Sequence, residues 1–542
     1  MGPSYSPIVS PDLSLPLSVL KRGPLNFEDR NGLCTRYAFK FWLTHLWRTE
    51  LRGTGERHPY NLRSVSAVKI LTDDIFLEIF AFCIPNPCKF PRQHMRVWRR
   101  LVHVCRRWRQ IICASPRSLD LHLYCSESSR TSFRKNISLW PQCSLILYCR
   151  IPGDEDNVIA ALEHPDRVRN FFLYMSSEVE GEGVLGVMQV PFPVLTYLGI
   201  SGPTPKNLPD GFLGGSAPCL QHLRLDTVSF PTLPTLLLSA RNLVSLEISH
   251  MPQTGYISPD AMVRSLAVLT RLETLCFESS FSIPPHEQER RRSDTPKLSV
   301  FPALLHFQFE GDSKYLEDLV SQIDAPRCDA IIIQYHTKDV ETRYLSHFIG
   351  RTENLKLAQF RDAKVIFRND EVDIHLERPH GECKQAFLSL TISVPESNFP
   401  VPYVVRMLGQ LVAILSDVGQ LSIIWDYSEH HNRGGLGWPV FQSIEWLPLL
   451  RLFPAVVSMY VSQDMSTHIA SLLEDVADSE EMVTKVLPKL QLLWLCDYKD
   501  DDKLVRSTEQ ILLICELCGH PMTIVNTEDE YFEKLKVLSP LT

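Results

Sequence analysis

The sequence predicts an α/β chain: a small all-α segment near residue 70, then an irregular α/β solenoid filling most of what remains. Three observations lead there. A phrase of the form L-x-x-L-x-L, with apolar substitutes, returns at intervals from residue 168 onward. The segments between its copies carry apolar residues at helical spacing. A chain of 542 residues also exceeds what one hydrophobic core organises, which favours a small domain plus a repeat array.

The all-α segment comes first. From Leu71, apolar residues recur at 71, 75 and 79, with 76 and 80 beside them, on a helical period. Thr72 suits an N-cap, and Asp73 and Asp74 fall where the helix dipole favours negative charge. Pro85, Pro87 and Pro91 end this helix by withholding backbone donors. A second helix is expected from about Gln93 to Cys113. Its apolar face comprises Val97, Leu101, Val104, Cys105, Trp108, Ile111 and Ile112, with most of its arginines off that face. Ser115-Pro116 stops it, and Leu119, Leu121 and Leu123 then alternate as in a half-buried strand.

The repeat phrase reads VRNFFL (168–173), LTYLGI (195–200), LQHLRL (220–225), LVSLEI (243–248), LETLCF (272–277) and LLHFQF (304–309), then a degenerate CDAIII (328–333). Successive first positions lie 27, 25, 23, 29, 32 and 24 residues apart, near the leucine-rich-repeat range. VVSMYV (456–461) and LQLLWL (490–495) are later copies, with FLSLTI and QLSIIW between. Return helices are expected at 258–269, with Ser258 as cap and Pro259 at the first helical position, and at 313–323. The Asn or Cys that follows the phrase in regular leucine-rich repeats is missing; after LQHLRL that slot is Val228. The array is therefore expected to be irregular. An α/β domain whose strands happen to open with L-x-x-L is the alternative.

The resulting layout is 1–68 poorly ordered, 69–116 helical docking segment, 117–525 solenoid and 526–542 tail. Charge divides along it. Residues 1–150 hold 23 Lys+Arg against 10 Asp+Glu, net +13, whereas 151–542 carry net −21 within a total of −8. A basic head on an acidic body suits an acidic partner for the head. Fifteen cysteines without framework spacing, no secretory signal and no apolar run of 18 residues predict an intracellular, reduced protein, cytoplasmic and/or nuclear, with no membrane partner. Cys105, Cys219, Cys276 and Cys328 sit in apolar segments and are expected to be small buried hydrophobes.

Residues 71–121 resemble the F-box family, and specifically the F-box proteins of large fungal expansions. Such proteins pair an LPDD-x-LLEIF-like helix with a V-C-RRW-like helix and a following SPRxLDL. The matching residues are Leu71, Asp73, Asp74, Ile75, Leu77, Glu78, Ile79 and Phe80, then Leu101 to Trp108, then Ser115, Pro116, Leu119, Asp120 and Leu121. EGDSKYLEDLVSQIDAP (310–326) and FIGRTENLK (348–356) also resemble phrases of this family. The family's Pro after the first Leu, which touches the adaptor, is Thr72 here.

The resemblance implies docking to a Skp-family adaptor, and through it to a cullin–RING ubiquitin ligase. The implied adaptor-binding residues are Leu71, Thr72, Asp74, Ile75, Phe76, Ile79 and Phe80 on the first helix, with Leu101, Val104, Cys105, Arg107 and Trp108 on the second. The apolar members of this set also exceed what about fifty residues bury internally. An internal three-helix core made by the same side chains is the competing reading. In the array, side chains between the buried leucines point outward. Candidate target contacts are His222, Arg224, Asp226, Ser245, Glu247, Thr274, Glu278, His306, Gln308 and Glu310.

Other motifs weigh less. The basic helix also fits a helix-turn-helix or nuclear-localisation reading, but Asn is absent there and Gln110 is isolated, so no nucleic acid partner is expected. Cys515-x-x-Cys518-Gly519-His520 is half a zinc knuckle without its second pair, and also reads as an apolar helix end. His430-His431 beside GGLG lacks the Lys of a phosphate loop. RRRSD (290–294) offers Ser293 as a phosphosite or a solvated turn, and DYKDDDK (497–503) is a coincidental likeness to a tag. No catalytic constellation has local support, so neither enzyme activity, metal nor cofactor is expected. A scaffold protein whose F-box does not dock is the rival function.

Overall fold

The computed structural model describes residues 71–85, 91–116, 118–125, 133–151, 155–176, 181–279, 298–336, 342–357, 360–368, 371–377, 387–393, 401–425, 446–462, 465, 486–496, 505–506, 509, 512 and 522–527. Residues 73–542 form one compact unit. The aromatic stretch 32–50, Ser293, His430-His431, 497–503 and the 515–520 segment lie outside the described residues.

The fold is mixed α/β. Among the described residues three helices come first: α1 (Asp73–Cys83), α2 (Pro91–Leu101) and α3 (Arg106–Ala114). The expected single second helix is thus two. Cys105 is the break: it is extended (φ −154°, ψ 170°), and its Sγ accepts from the Trp108 N–H at 3.5 Å as the N-cap of α3. Arg109 closes the turn by donating to the Val102 carbonyl at 3.0 Å. The buried face of α2 also differs from the expected one, being His94 and Trp98 with Val102 just beyond. Trp98 meets Trp140 edge-on at 5.0 Å, so α2 faces the array rather than α1 alone.

Sixteen strands then build one sheet: β1 (His122–Cys125), β2 (Ser144–Ile151), β3 (Val168–Met175), β4 (Tyr197–Ser201), β5 (His222–Asp226), β6 (Ser245–Met251), β7 (Thr274–Ser279), β8 (His306–Gly311), β9 (Ala330–Tyr335), β10 (Asp362–Phe367), β11 (Glu371–Glu377), β12 (Phe387–Ser393), β13 (Gln420–Trp425), β14 (Ser458–Val461), β15 (Leu492–Cys496) and β16 (Thr523–Thr527). Every copy of the repeat phrase supplies a strand, and in most the first residue is buried just ahead of it, as at Leu195, Leu220, Leu243, Leu272, Leu304 and Cys328. From β1 to β9, neighbours in sequence are neighbours in the sheet and run parallel. The order then becomes β9-β12-β11-β10-β13, with β11 antiparallel to both its neighbours. A meander is thus spliced into the array where the phrase is least regular.

Helices cover one face. α4 (Phe133–Leu139) ends where Arg167 gathers three carbonyls, those of Ile137, Trp140 and Cys143, at 3.3, 2.7 and 3.1 Å. The expected helix at 258–269 is Pro259–Leu266, capped by Ser258, whose hydroxyl accepts from the Ala261 N–H at 3.4 Å. The expected helix at 313–323 is Ser313–Ser321, with Asp312 as cap. Its Tyr315 stacks on Phe277 and Phe309 at 5.1 and 6.0 Å, fixing that helix to the sheet. Two short parallel pairings lie outside the main sheet: Val228–Ser229, which includes the slot of the missing ladder residue, with Lys206–Asn207, and Ser299–Val300 with Ile323–Asp324. Of the four cysteines expected to be buried, Cys328 is; Cys105 and Cys276 are half-buried, and Cys219 is exposed because it sits in the turn leading to β5.

One buried carboxylate joins successive return helices. Glu317, on the helix capped by Asp312, accepts from the backbone N–H groups of Tyr344 and Leu345 at 2.6 and 2.9 Å. These are orphan donors at the start of the next helix, Arg343–Arg351, so Glu317 caps it from outside. Glu317→Ala should cost about 3 kcal/mol, because two donors lose a charged acceptor in a buried place. Glu317→Gln, which keeps an acceptor oxygen, should cost less. Urea denaturation of the three proteins measures the order, and an Ala variant no weaker than Gln would refute the capping role.

Candidate functional site

Two regions carry the candidate residues. The first is the helical segment. Phe76 and Phe80 on α1 and Trp108 on α3 meet as rings, with Trp108 at 5.9 and 4.9 Å from the two phenylalanines. Phe76 and Phe80 are fully buried and Trp108 half-buried, so these three candidates hold α1 against α3. Arg107 lies over the Phe76 ring at 5.0 Å and pairs with Asp73 at 2.8 Å, latching the same two helices. The internal-core reading therefore accounts for Phe76, Phe80, Arg107 and Trp108.

What stays outside is a different subset. Ile75 is 45% exposed and Val104 44% exposed. Phe82, not among the candidates, is 49% exposed. Thr72 and Asp74 are exposed; Leu71, Ile79, Leu101 and Cys105 are half-buried. Phe82 escaped notice because the periodicity ended at Phe80, whereas the helix runs on to Cys83 and places residues 75, 79 and 82 one above another.

The helical segment meets the array at a buried pair of histidines. His94 of α2 stacks near His122 and Tyr124 of β1, with ring centroids 5.7 and 6.0 Å away. Among the described residues neither His94 nitrogen has a partner of good hydrogen-bond geometry, the Asp120 backbone being the acceptor that acts on it. Burial, and then the neighbouring His122 ring, push the His94 pKa down to about 4, with Asp120 opposing. Asp120, at a left-handed φ of 50°, receives His122 Nε2 at 3.0 Å and Arg169 Nη1 at 2.6 Å. The His122 hydrogen bond leads the causes that hold its carboxyl down to about 2.

The second region is the sheet face opposite the helices. In-register pairing gathers the ten target candidates into three rows. His222, Ser245, Thr274 and His306 form one row across β5 to β8. Arg224, Glu247 and Gln308 form the next, with Cys276 between the last two. Asp226, Glu278 and Glu310 lie in the third. The groups are cross-linked: Arg224 pairs with Glu247 at 3.6 Å, Gln308 donates to Glu278 at 3.2 Å, and His250 meets Asp226 at 2.9 Å. The Asp226 hydrogen bond raises the His250 pKa. Burial and the neighbouring Glu278 raise that of Glu310. Burial and then Glu278 push the Cys276 thiol up to about 12, which makes it an unreactive thiol.

The same rows continue into residues that the sequence reading passed over. Arg224 is in register with Gly199, Phe172 and Tyr148, and Tyr174 with Ser201 and Arg150. Their signal was present in VRNFFLYM and SLILYCRI, where outward positions are aromatic and so look like core.

No protein-family model matches the chain, and no curated protein matches it. Among the described residues, no group of three or more His, Cys, Asp or Glu side chains could hold a metal ion, and no helix is long and apolar enough to cross a membrane.

The junction has a pH signature. A group whose folded pKa is lowered from 6.5 to about 4 favours the folded state above pH 6.5 and loses that contribution as pH falls through 4. The loss through this window should be about 3 kcal/mol from His94. His94→Leu should flatten stability between pH 6.5 and 4 while leaving the fold intact, since it removes two poorly paired buried nitrogens. Denaturation midpoints at several pH values test this, and an unchanged acid slope in the variant would refute it.

Proposed function

We propose that the chain is a non-catalytic substrate-recognition subunit of a Skp–cullin–F-box ubiquitin ligase. Its α1–α3 segment docks the Skp-family adaptor, and the face of its leucine-rich-repeat-like array binds a target protein. The observation that carries this reading is the division of labour within the helices. Phe76, Phe80 and Trp108 are consumed in holding the segment together, yet Ile75 and Val104 remain exposed. A small helical module that finishes its own core and leaves large apolar side chains exposed has the make-up of a docking element. The likeness of 71–121 to F-boxes supports the choice of partner. Catalysis would belong to the ligase, with this chain acting by proximity.

A pull-down of the full chain with the Skp-family adaptor tests the reading. Trp108→Ala is a poor probe, because that ring is part of the internal core. Ile75→Glu with Val104→Glu alters only exposed positions and should weaken adaptor binding by more than about tenfold. Failure of the wild type to bind, or equal binding by the double variant, would leave the scaffold reading in its place.

A further inference from the structure

The open sheet face is limited at both ends. At the first strand, His94 of α2 lies against His122 and Tyr124, which are in register with Ser144 and Ile146. From the meander onward the face is largely closed by burial: Ser389, Ser422, Ile424 and Tyr460 are all below a tenth exposed, and Ile366 and Trp494 pack with the last two. What remains open runs from β2 to about β9. At about 4.8 Å per strand, Tyr148 on β2 and Glu310 on β8 are roughly 29 Å apart, the reach of about nine extended residues.

This strip has two halves of different chemistry. On β2 to β4 it is aromatic. Tyr148 is 46% exposed, and its ring lies 6.4 Å from that of half-buried Phe172. Phe172 lies over Gly199, where a Cβ would approach its ring to 2.5 Å, so the glycine makes room for a flat aromatic floor. Arg150 sits on Tyr174 at 5.2 Å. On β5 to β8 the strip carries four carboxylates, Asp226, Glu247, Glu278 and Glu310, against one guanidinium, Arg224, and the imidazoles of His222, His250 and His306, with His336 beside Glu310 just past β9. Glu278 and Glu310 are directly opposite in register. Like charges so placed repel, and the contacts of Gln308 with Glu278 at 3.2 Å and of His336 with Glu310 at 3.3 Å offset this only in part, since Glu310 still holds its proton more tightly than an ordinary carboxyl, through burial and then Glu278.

We infer that this strip docks an extended segment of a partner protein in which Lys or Arg side chains seat over Glu278 and Glu310 while an aromatic or aliphatic neighbour lies on Tyr148 and Phe172. Charge complementarity selects the occupant: a cation relieves the Glu278–Glu310 repulsion, and an acidic segment would worsen it. The aromatic floor supplies burial next to it, and adds cation–π contact for a basic side chain. The inference deepens the target-binding half of the proposal above and stands apart from adaptor docking.

Fluorescence anisotropy of the full chain with three labelled twelve-residue peptides tests it: one alternating Lys with Tyr and Leu, one alternating Lys with Ser, and one alternating Glu with Tyr. The Lys–Tyr–Leu peptide should bind at least about tenfold tighter than the Glu–Tyr peptide, and more weakly as salt rises. The Glu278→Gln/Glu310→Gln protein should lose about tenfold for both lysine peptides, and Tyr148→Ser should weaken only the one with apolar residues. Thermal unfolding keeps the test sound, since relieving the repulsion should raise Tm rather than lower it. Equal binding of acidic and basic peptides, or unchanged binding by the double Gln protein, overturns the inference. So does absence of any peptide binding, including the case in which the chain's own basic head fills the strip. Adaptor pull-down by the double Gln protein should be unchanged; loss of adaptor binding in the wild type with peptide binding intact would remove the ligase reading alone.

Discussion

In-register parallel pairing is the constraint on which the rest of this molecule depends. A parallel strand has no partner in its own hairpin, so its backbone donors and acceptors are satisfied only by the strands before and after it, across a return segment. That requirement fixes more than hydrogen bonds. Because side chains alternate with period two, a register that shifts only at Leu145/Ile146 and at Ile248/Met251 sends the buried leucines to the helices and the intervening residues to the open face. The rows on that face, with His222 beside Ser245 and Arg224 beside Glu247, are by-products of the pairing that holds the fold. A partner surface made this way needs no loop to position it.

The same logic explains the change at the meander. β11 runs against its neighbours, and Asp373 on it is buried, ion-paired to Arg368 and accepting from Thr391 at 2.6 Å. Past this point the outward rows hold Ile366, Ile424, Tyr460 and Trp494, which are packed with one another instead of presented. Reversing one strand thus coincides with a switch from a face that shows polar groups to one that buries apolar groups. The polar strip is a bounded feature, not a property of the whole array.

Much of this was legible in the sequence, for reasons particular residues make clear. The L-x-x-L-x-L copies announced the strands because burial of their leucines leaves no other pattern, and the polar residues between them identified the open face by alternation alone. Three things were hidden. The break at Cys105 follows from a thiol capping a helix, a role for which cysteine gives no compositional sign. The meander depends on which strand ends find each other, and FLSLTI looks the same in a parallel or an antiparallel place. The aromatic half of the strip was masked by its own chemistry, since Phe172 and Tyr174 read as core until the register shows them on the outer side.

In the helical segment the ambiguity between core and interface resolves by residue rather than by segment. At about 100° per residue, 75, 76, 79 and 80 spread over an arc of about 140°, with Phe76 and Phe80 toward one edge and Ile75 at the other. Phe76 and Phe80 took the side that meets Trp108, and Ile75 with Phe82 was left to the other. The basic face has a similar division: Arg107 is spent on Asp73 and the Phe76 ring, and Arg109 on a carbonyl of the turn. Arginines committed to internal contacts are poorly placed to grip a polyanion, so the charge of this segment argues less for nucleic acid than its arginine count suggests. What the segment leaves exposed at Ile75 and Val104 is apolar.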